Sequence, residues 1–251
     1  MTTTEHDDDT GTHATAPHPA AGPHRARGRG PVATAFSVIG ELMITLGVVL
    51  ALFVAYSLWW TNVLADRQAR REGDTVRRQW AAPSGPGALD TADGIGFLHV
   101  PAMGRNFEVL VKKGTSTDVL NQGVAGYYTD PVASAMPWDR TGNFTTAAHR
   151  DGHGAKFHNI DKVRKGDAVV FETRDTWYVY RVFAVLDQTS KYDVHVLDPV
   201  PRESGVRRPG RYITLTTCTP VFTSEYRYIV WGELVRTQKV DAHRTPPPEL
   251  G

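Results

Sequence analysis

Three side chains in this sequence have the types and the order that covalent acyl chemistry requires: His149, Cys218 and Arg227. Cys218 is the sole cysteine among 251 residues, so it can neither form an internal disulfide nor join a multi-cysteine metal site. Two readings of the thiol remain, an inert buried side chain, which is common for free cysteine, and a nucleophile. A thiol of unperturbed pKa about 8.5 is mostly un-ionised at neutral pH, so a nucleophilic cysteine needs a base or a positive charge beside it. His149 ends the strand-like run Asn143-Phe144-Thr145-Thr146-Ala147-Ala148-His149, and Arg150-Asp151-Gly152 then reads as a turn. A histidine at such a strand end is exposed enough to serve as the base. The connection from Cys218 to the next strand, at Tyr228, is short enough for an antiparallel hairpin, which would return Arg227 to the side of Cys218. A guanidinium can hold a carbonyl oxygen or a developing oxyanion without competing as a base, although an arginine in a strand is otherwise an ordinary surface residue.

Other residues have weaker claims. Thr217 could hydrogen-bond substrate or thiolate, and strand propensity explains it equally well. Tyr127 and Tyr128, in Gly-Tyr-Tyr-Thr-Asp-Pro, could line a substrate groove or simply pack a loop. His149, Asp151, His153 and His158 resemble zinc ligands in spacing, but Gly152 and Gly154 oppose the helix on which such a pair normally sits. No metal or other cofactor is expected. His6, His13, His18 and His24 are too widely spaced for more than a solvated tail.

The elements that must position these residues read as follows. Residues 1–31 are poor in large apolar side chains and cannot offset chain entropy, so a disordered tail is expected. Residues 36–65 hold the uncharged run LMITLGVVLALFVAYSLWW, and about 20 such residues match a hydrocarbon core of roughly 30 Å. A single membrane anchor is expected here, with Tyr56, Trp59 and Trp60 at an interface and the lipid bilayer as a partner. Val63-Leu64-Ala65 loosely resembles a signal-peptidase site, but the run exceeds a signal peptide's apolar core, which favours a retained anchor. Arg25, Arg27 and Arg29 precede the span and Arg67, Arg70, Arg71, Arg77 and Arg78 follow it, so positive-inside counting places the C-terminal domain in the cytoplasm. Residues 66–92 read as a charged stalk and a Pro/Gly linker, 93–237 as the folded domain, and 238–251, with Pro246-Pro247-Pro248, as a disordered exit. A net charge of +1 with scattered basic residues excludes a nucleic-acid footprint.

Inside the domain the period is two. Strands are expected at Gly94–Val100, Phe107–Lys112, Asn143–His149, Ala168–Glu172, Trp177–Leu186, Tyr212–Cys218 and Tyr228–Val235, with short helices at Thr117–Gln122 and Lys156–Ile160. That density of short strands means an all-β barrel or sandwich.

A histidine, then Thr214-Leu215-Thr216-Thr217-Cys218, then an arginine nine positions on resembles the sortases, membrane-anchored cysteine transpeptidases of Gram-positive cell surfaces, whose signature is TLxTC. The anchor GELMITLGVVLALFVAYSLWWTNVLA and the run LTTCTPVFTSEYRYIVWGEL resemble class E sortases of actinobacteria, with Ala148 where many members have glycine before the histidine. The resemblance implies a closed eight-stranded β-barrel and a two-step acyl transfer. Cys218 would attack the Thr-Gly bond of a C-terminal Leu-Ala-X-Thr-Gly or Leu-Pro-X-Thr-Gly sorting signal. His149 would move protons between the two amines, and Arg227 would position the substrate and support the oxyanion. The partners implied are secreted proteins bearing that signal and a peptidoglycan-precursor amine, which puts the barrel outside the cytoplasm, against the arginine count. The segment Ser190–Arg208 corresponds by position to the family's variable substrate loop.

Other assignments compete. Papain-like endopeptidases place cysteine before histidine, and cysteine L,D-transpeptidases have an arginine where Pro220 stands. A pilin-polymerising sortase and a catalytically silent tethered β-domain are the remaining alternatives.

Overall fold

The structure, a computed structural model, describes residues 30–81 and 94–251. The expected tail lies outside it up to residue 29, as do linker residues 82–93. Helix α1 runs unbroken through Pro31–Ala81, so the stalk continues the anchor helix. Proline at the first helical position suits a helix start, since its missing N–H would have no partner there. Among the described residues no side chain in its most apolar stretch is buried, and the helix is long and apolar enough to cross a membrane.

From residue 65 onward the character of α1 changes. Ala65, Val76 and Trp80 are buried, and Ala69 joins them on one face against Phe97, Leu110 and Val124. The spacing of Ala65, Ala69, Gly73, Val76 and Trp80 is the helical i, i+4, i+8 stripe that an amphipathic helix turns toward a core. Gly73 gives the Phe97 ring close approach in it, a Cβ there lying 3.2 Å from the ring.

Eight strands close into a barrel in the order β1-β2-β3-β4-β7-β8-β6-β5. They are β1 (Gly96–His99), β2 (Glu108–Lys113), β3 (Ala125–Tyr127), β4 (Gly142–Ala147), β5 (Ala168–Glu172), β6 (Thr176–Ser190), β7 (Arg211–Thr219) and β8 (Tyr226–Lys239), with a one-turn helix α2 (Thr117–Leu120) between β2 and β3. Strand β3 is absent from the sequence expectation, because three residues carry no readable alternation. It exists because Gly126 lets the backbones meet, a Cβ there falling 2.0 Å from the Gly114 carbonyl oxygen. Alternate residues fill the barrel, among them Leu98, Val111, Phe144, Phe171, Tyr180, Ile213, Leu215 and Val230. Phe144 and Phe171 meet edge to face at 4.9 Å. Each such large side chain contributes about 1.5–3 kcal/mol when removed from water.

Two expectations need correction. The second short helix appears as a 3-10 turn at Ile160–Lys162 rather than across Lys156–Ile160. The prolines of 238–251 do not make a disordered exit: Val240 and Leu250 pack on Val170, Trp177 and Val179, and Pro247 is buried. Arg244 reaches Glu172 at 2.6 Å, so the segment is held by charge as well as by apolar contact.

Glu172 is the centre of that network. Its carboxylate is only 2% exposed and meets Arg244, Arg77 at 3.2 Å from α1, and His99 at 3.0 Å from β1. Burial alone would raise its pKa. The hydrogen bonds from His99 and Arg244 and the charge of Arg77 outweigh burial and hold it at about 2.

Candidate active site

The geometry follows from strand register. Strands β7 and β8 are antiparallel with Cys218 opposite Arg227, so both side chains leave the same face. Strands β4 and β7 are parallel, with Ala147 opposite Thr216, and the Ala148 N–H donates to the Thr216 carbonyl at 3.3 Å. The paired register stops there, two positions short of the level of Cys218, and His149 follows directly on it. His149 thus lies beyond the end of β4, in the first residues of a loop, whereas the sequence placed it within the strand. The Cys218 thiol is half-buried.

Period two assigns the neighbours. Thr217 points to the opposite face from Cys218, is buried, and donates its hydroxyl to the Ala148 carbonyl at 2.7 Å. It ties β7 to the residue before His149, and it does not share a face with the thiol. Thr216 faces outward with Cys218 and shares a 2.9 Å hydrogen bond with the Tyr128 hydroxyl. Burial, partly offset by Thr216 and by the Arg227 charge, raises the Tyr128 pKa, so the phenol is neutral beside the thiol. Tyr127 faces the barrel interior instead.

Arg227 is half-buried, and its Nη1 donates to the carbonyls of Ser224 at 3.1 Å and Tyr226 at 3.0 Å. These bonds fix the guanidinium plane and leave its other nitrogens without a hydrogen-bond partner among the described residues. One wall of the outer face is the β6–β7 connection, where Val196 and Leu197 pack on Ile229 and Trp231, and the Trp231 indole donates to the Val196 carbonyl at 3.0 Å. Tyr128 and Val132 pack against the same cluster.

Around His149 three further groups converge. Its Nε2 lies 2.9 Å from Asn121 Oδ1, which selects the Nε2–H tautomer and leaves Nδ1 able to take a proton. His153 stacks obliquely at 5.6 Å between ring centres. Burial first, then the neighbouring His153, push the His149 pKa down, while Asp151 opposes them, so the neutral imidazole dominates at neutral pH. Asp151 also accepts from the Phe222 N–H at 2.7 Å, joining the His149 loop to the β7–β8 connection. Arg150, in the expected turn, is buried and donates to Thr219 at 2.9 Å. Asn121 gave no signal in the sequence, because it lies 28 residues from His149 and follows a helix of one turn.

His149, His153 and His158 do not gather as metal ligands, since His158 turns Nδ1 to the Arg150 carbonyl at 2.9 Å. The converging donor set among the described residues is His99, Glu108 and Glu172, and the oxygens of Glu172 are already taken by arginines and His99.

Known proteins share this fold and much of this sequence. The sortase domain family matches residues 98–235. Sortase SrtE2 of Streptomyces coelicolor is 60% identical over 257 positions, covering 99% of this chain and 98% of the relative. Sortase SrtE1 of the same organism is 46% identical over 84% of this chain and 60% of its own length. Among solved structures, sortase E1 from Streptomyces coelicolor with a tripeptide in its active site superposes with a TM-score of 0.60 at 43% identity, over 65% of this chain and all of the other. Sortase E from Streptomyces avermitilis gives 0.56 at 38% identity, over 63% of this chain and 97% of the other. A closed eight-stranded barrel, a family match across most of that barrel and a relative similar along its whole length leave one assignment: the chain belongs to the sortase family, class E.

Proposed function

We propose that this chain is the cysteine transpeptidase that cleaves a C-terminal Leu-Ala-X-Thr-Gly or Leu-Pro-X-Thr-Gly sorting signal and joins the released carboxyl to a cell-wall precursor amine. The observation that supports the reading is the β7–β8 register that pairs Cys218 with Arg227, next to the strand β4 that leads into His149. The Cys218 sulfur, as thiolate, adds to the threonine carbonyl carbon, and Arg227 supports the oxyanion with the nitrogens its backbone bonds leave free. The C–N bond breaks, the leaving glycine nitrogen takes a proton from protonated His149, and a thioacyl enzyme remains. The acceptor amine then adds to the thioester and gives a proton back to His149. The C–S bond breaks and the thiolate returns. Tyr128, neutral and fixed to Thr216, borders the groove as a substrate-binding residue.

The test is incubation of the full chain in detergent with peptides carrying Leu-Ala-X-Thr-Gly and Leu-Pro-X-Thr-Gly, followed by intact mass. A mass gain equal to the peptide truncated after threonine is expected, and an unmodified chain with both peptides would defeat the reading.

The same chemistry puts the barrel outside the cytoplasm. Arg77, one of the arginines that argue against this by count, is used in docking α1, through Glu172, Glu108 and the Phe97 ring at 4.1 Å. Alkaline phosphatase fused after Gly251 is expected to be active and a green fluorescent fusion dark. The opposite pattern would place the barrel in the cytoplasm.

A further inference from the structure

The loop that begins at His149 is strained and is held from outside the barrel. Four consecutive residues have positive φ: Gly152 at 61°, His153 at 44°, Gly154 at 83° and Ala155 at 40°. For residues with a Cβ this region costs of order 1–2 kcal/mol each, and it persists only where the surroundings fix it. The fixing contacts come from α1. The Gly154 N–H donates to Asn62 Oδ1 at 2.8 Å, and the Lys156 ammonium meets Asp66 at 2.7 Å. Gly154 is pressed into this contact so closely that a Cβ would lie 3.2 Å from Asp66 Oδ1 and 3.3 Å from the Gly123 Cα.

From that clamp two short paths reach the imidazole. Lys156 precedes Phe157, a fully buried residue whose N–H donates to the His149 carbonyl at 2.9 Å. On the other side Gly123, at φ 74°, abuts α1, a Cβ there falling 2.9 Å from the Ala65 carbonyl oxygen. Two residues earlier stands Asn121, which holds His149 Nε2. One helical turn, 62–66, therefore backs both supports of the ring.

We propose that Asn62 and Asp66 of α1 are positioning residues for His149, so that the helix carrying the membrane anchor also sets the geometry of the proton-transfer group. The idea rests on the transpeptidase reading for its kinetic half only. Small displacements of an acid–base group are costly, a shift of about 1 Å being able to lose about a hundredfold in rate. On the transpeptidase reading the substrate docks at Cys218 and Arg227 of β7 and β8, so the loss is expected in kcat, with KM for the sorting peptide near its original value.

The test uses the full chain in detergent with Asn62→Ala, Asp66→Ala, Lys156→Ala and the Asp66→Ala/Lys156→Ala pair. Each single change is expected to lower kcat for thioacyl formation about tenfold to a hundredfold. The pair is expected to be no worse than either single change, and Asn62→Asp, which keeps the acceptor oxygen, to restore the rate. An independent readout is the NMR titration of the His149 Cε1–H. The charged and titratable groups around that ring are His153 and Asp151 in its own loop, Cys218 and Arg227 on the facing strands, and the Asp66–Lys156 pair. Loosening the loop admits water and separates His149 from His153, so the midpoint should rise toward the ordinary histidine value. An unchanged titration in the Asn62→Ala and Asp66→Ala chains would overturn the proposal even if catalysis fell. Failure of the unaltered chain to form any thioacyl adduct would sink the transpeptidase reading, with the titration still deciding whether α1 holds His149.

Discussion

Cys218→Ala is expected to abolish the thioacyl adduct, because the chain has no second thiol to take over the attack. The substitution should be well tolerated by the fold. The thiol is half-buried on the outer face, and β7 keeps its neighbours Thr217 and Thr219 in place through Ala148 and Arg150. His149→Ala belongs in the same assay. Removing a general acid–base group costs about 10²–10⁴ in rate, and the neutral ring leaves no buried charge unpaired when it is deleted. Arg227→Ala should lose about 10²–10³, the value of one oxyanion donor. Persistence of the mass adduct in Cys218→Ala would place the nucleophile elsewhere and end the acyl-enzyme scheme. The low pKa of His149 adds a direction to the pH profile. The fraction of imidazolium available to protonate the leaving amine grows only as pH falls below the ordinary histidine range, so the limb reporting the ring should lie on the acid side of about 6.5.

The second large effect concerns stability. Glu172→Ala removes the shared partner of Arg77, Arg244 and His99, and breaking a buried ion pair from one side costs about 3–5 kcal/mol. Arg77 keeps Glu108, and both arginines are about a third exposed, so a value near about 3 kcal/mol is expected. A loss of that size should lower the thermal midpoint by roughly 6–12 °C. The pH dependence has a definite sign. Glu172 has a folded pKa of about 2 against an ordinary 4.5, so the unfolded chain binds the proton more readily. The stabilisation is complete above about 4.5 and disappears as pH falls toward about 2, a contribution of about 3 kcal/mol from that shift. Melting the unaltered and Glu172→Gln chains across this range tests it. Parallel acid curves for the two would remove Glu172 from the account.

The all-β class and the pairing of Cys218 with Arg227 were legible because period-two alternation and a short connection fix which residues of adjacent strands are opposite, whereas barrel over sandwich came from the resemblance to the sortases. Those are local properties of sequence. His149 was readable as a base but not as a loop residue, since the end of β4 is set by where β7 stops pairing with it. Asn121, Asn62 and Asp66 were invisible for the same reason: their partners are 28, 92 and 90 residues away. The stalk was read by its charges, whereas the stripe of Ala65, Ala69, Gly73, Val76 and Trp80 on its other side decides where it sits. In 238–251 the prolines suggested an exit, and the docking is decided by Arg244, whose partner Glu172 is a strand residue 72 positions earlier.

Strand β8 is the last to be made, yet it lies between β6 and β7. During synthesis the sheet therefore stays open along one seam until residue 239 has emerged. The arginine opposite Cys218 arrives with that same strand, and the cation that completes the Glu172 cluster arrives after it. Closure of the barrel and arrival of the guanidinium opposite Cys218 thus wait on the same strand.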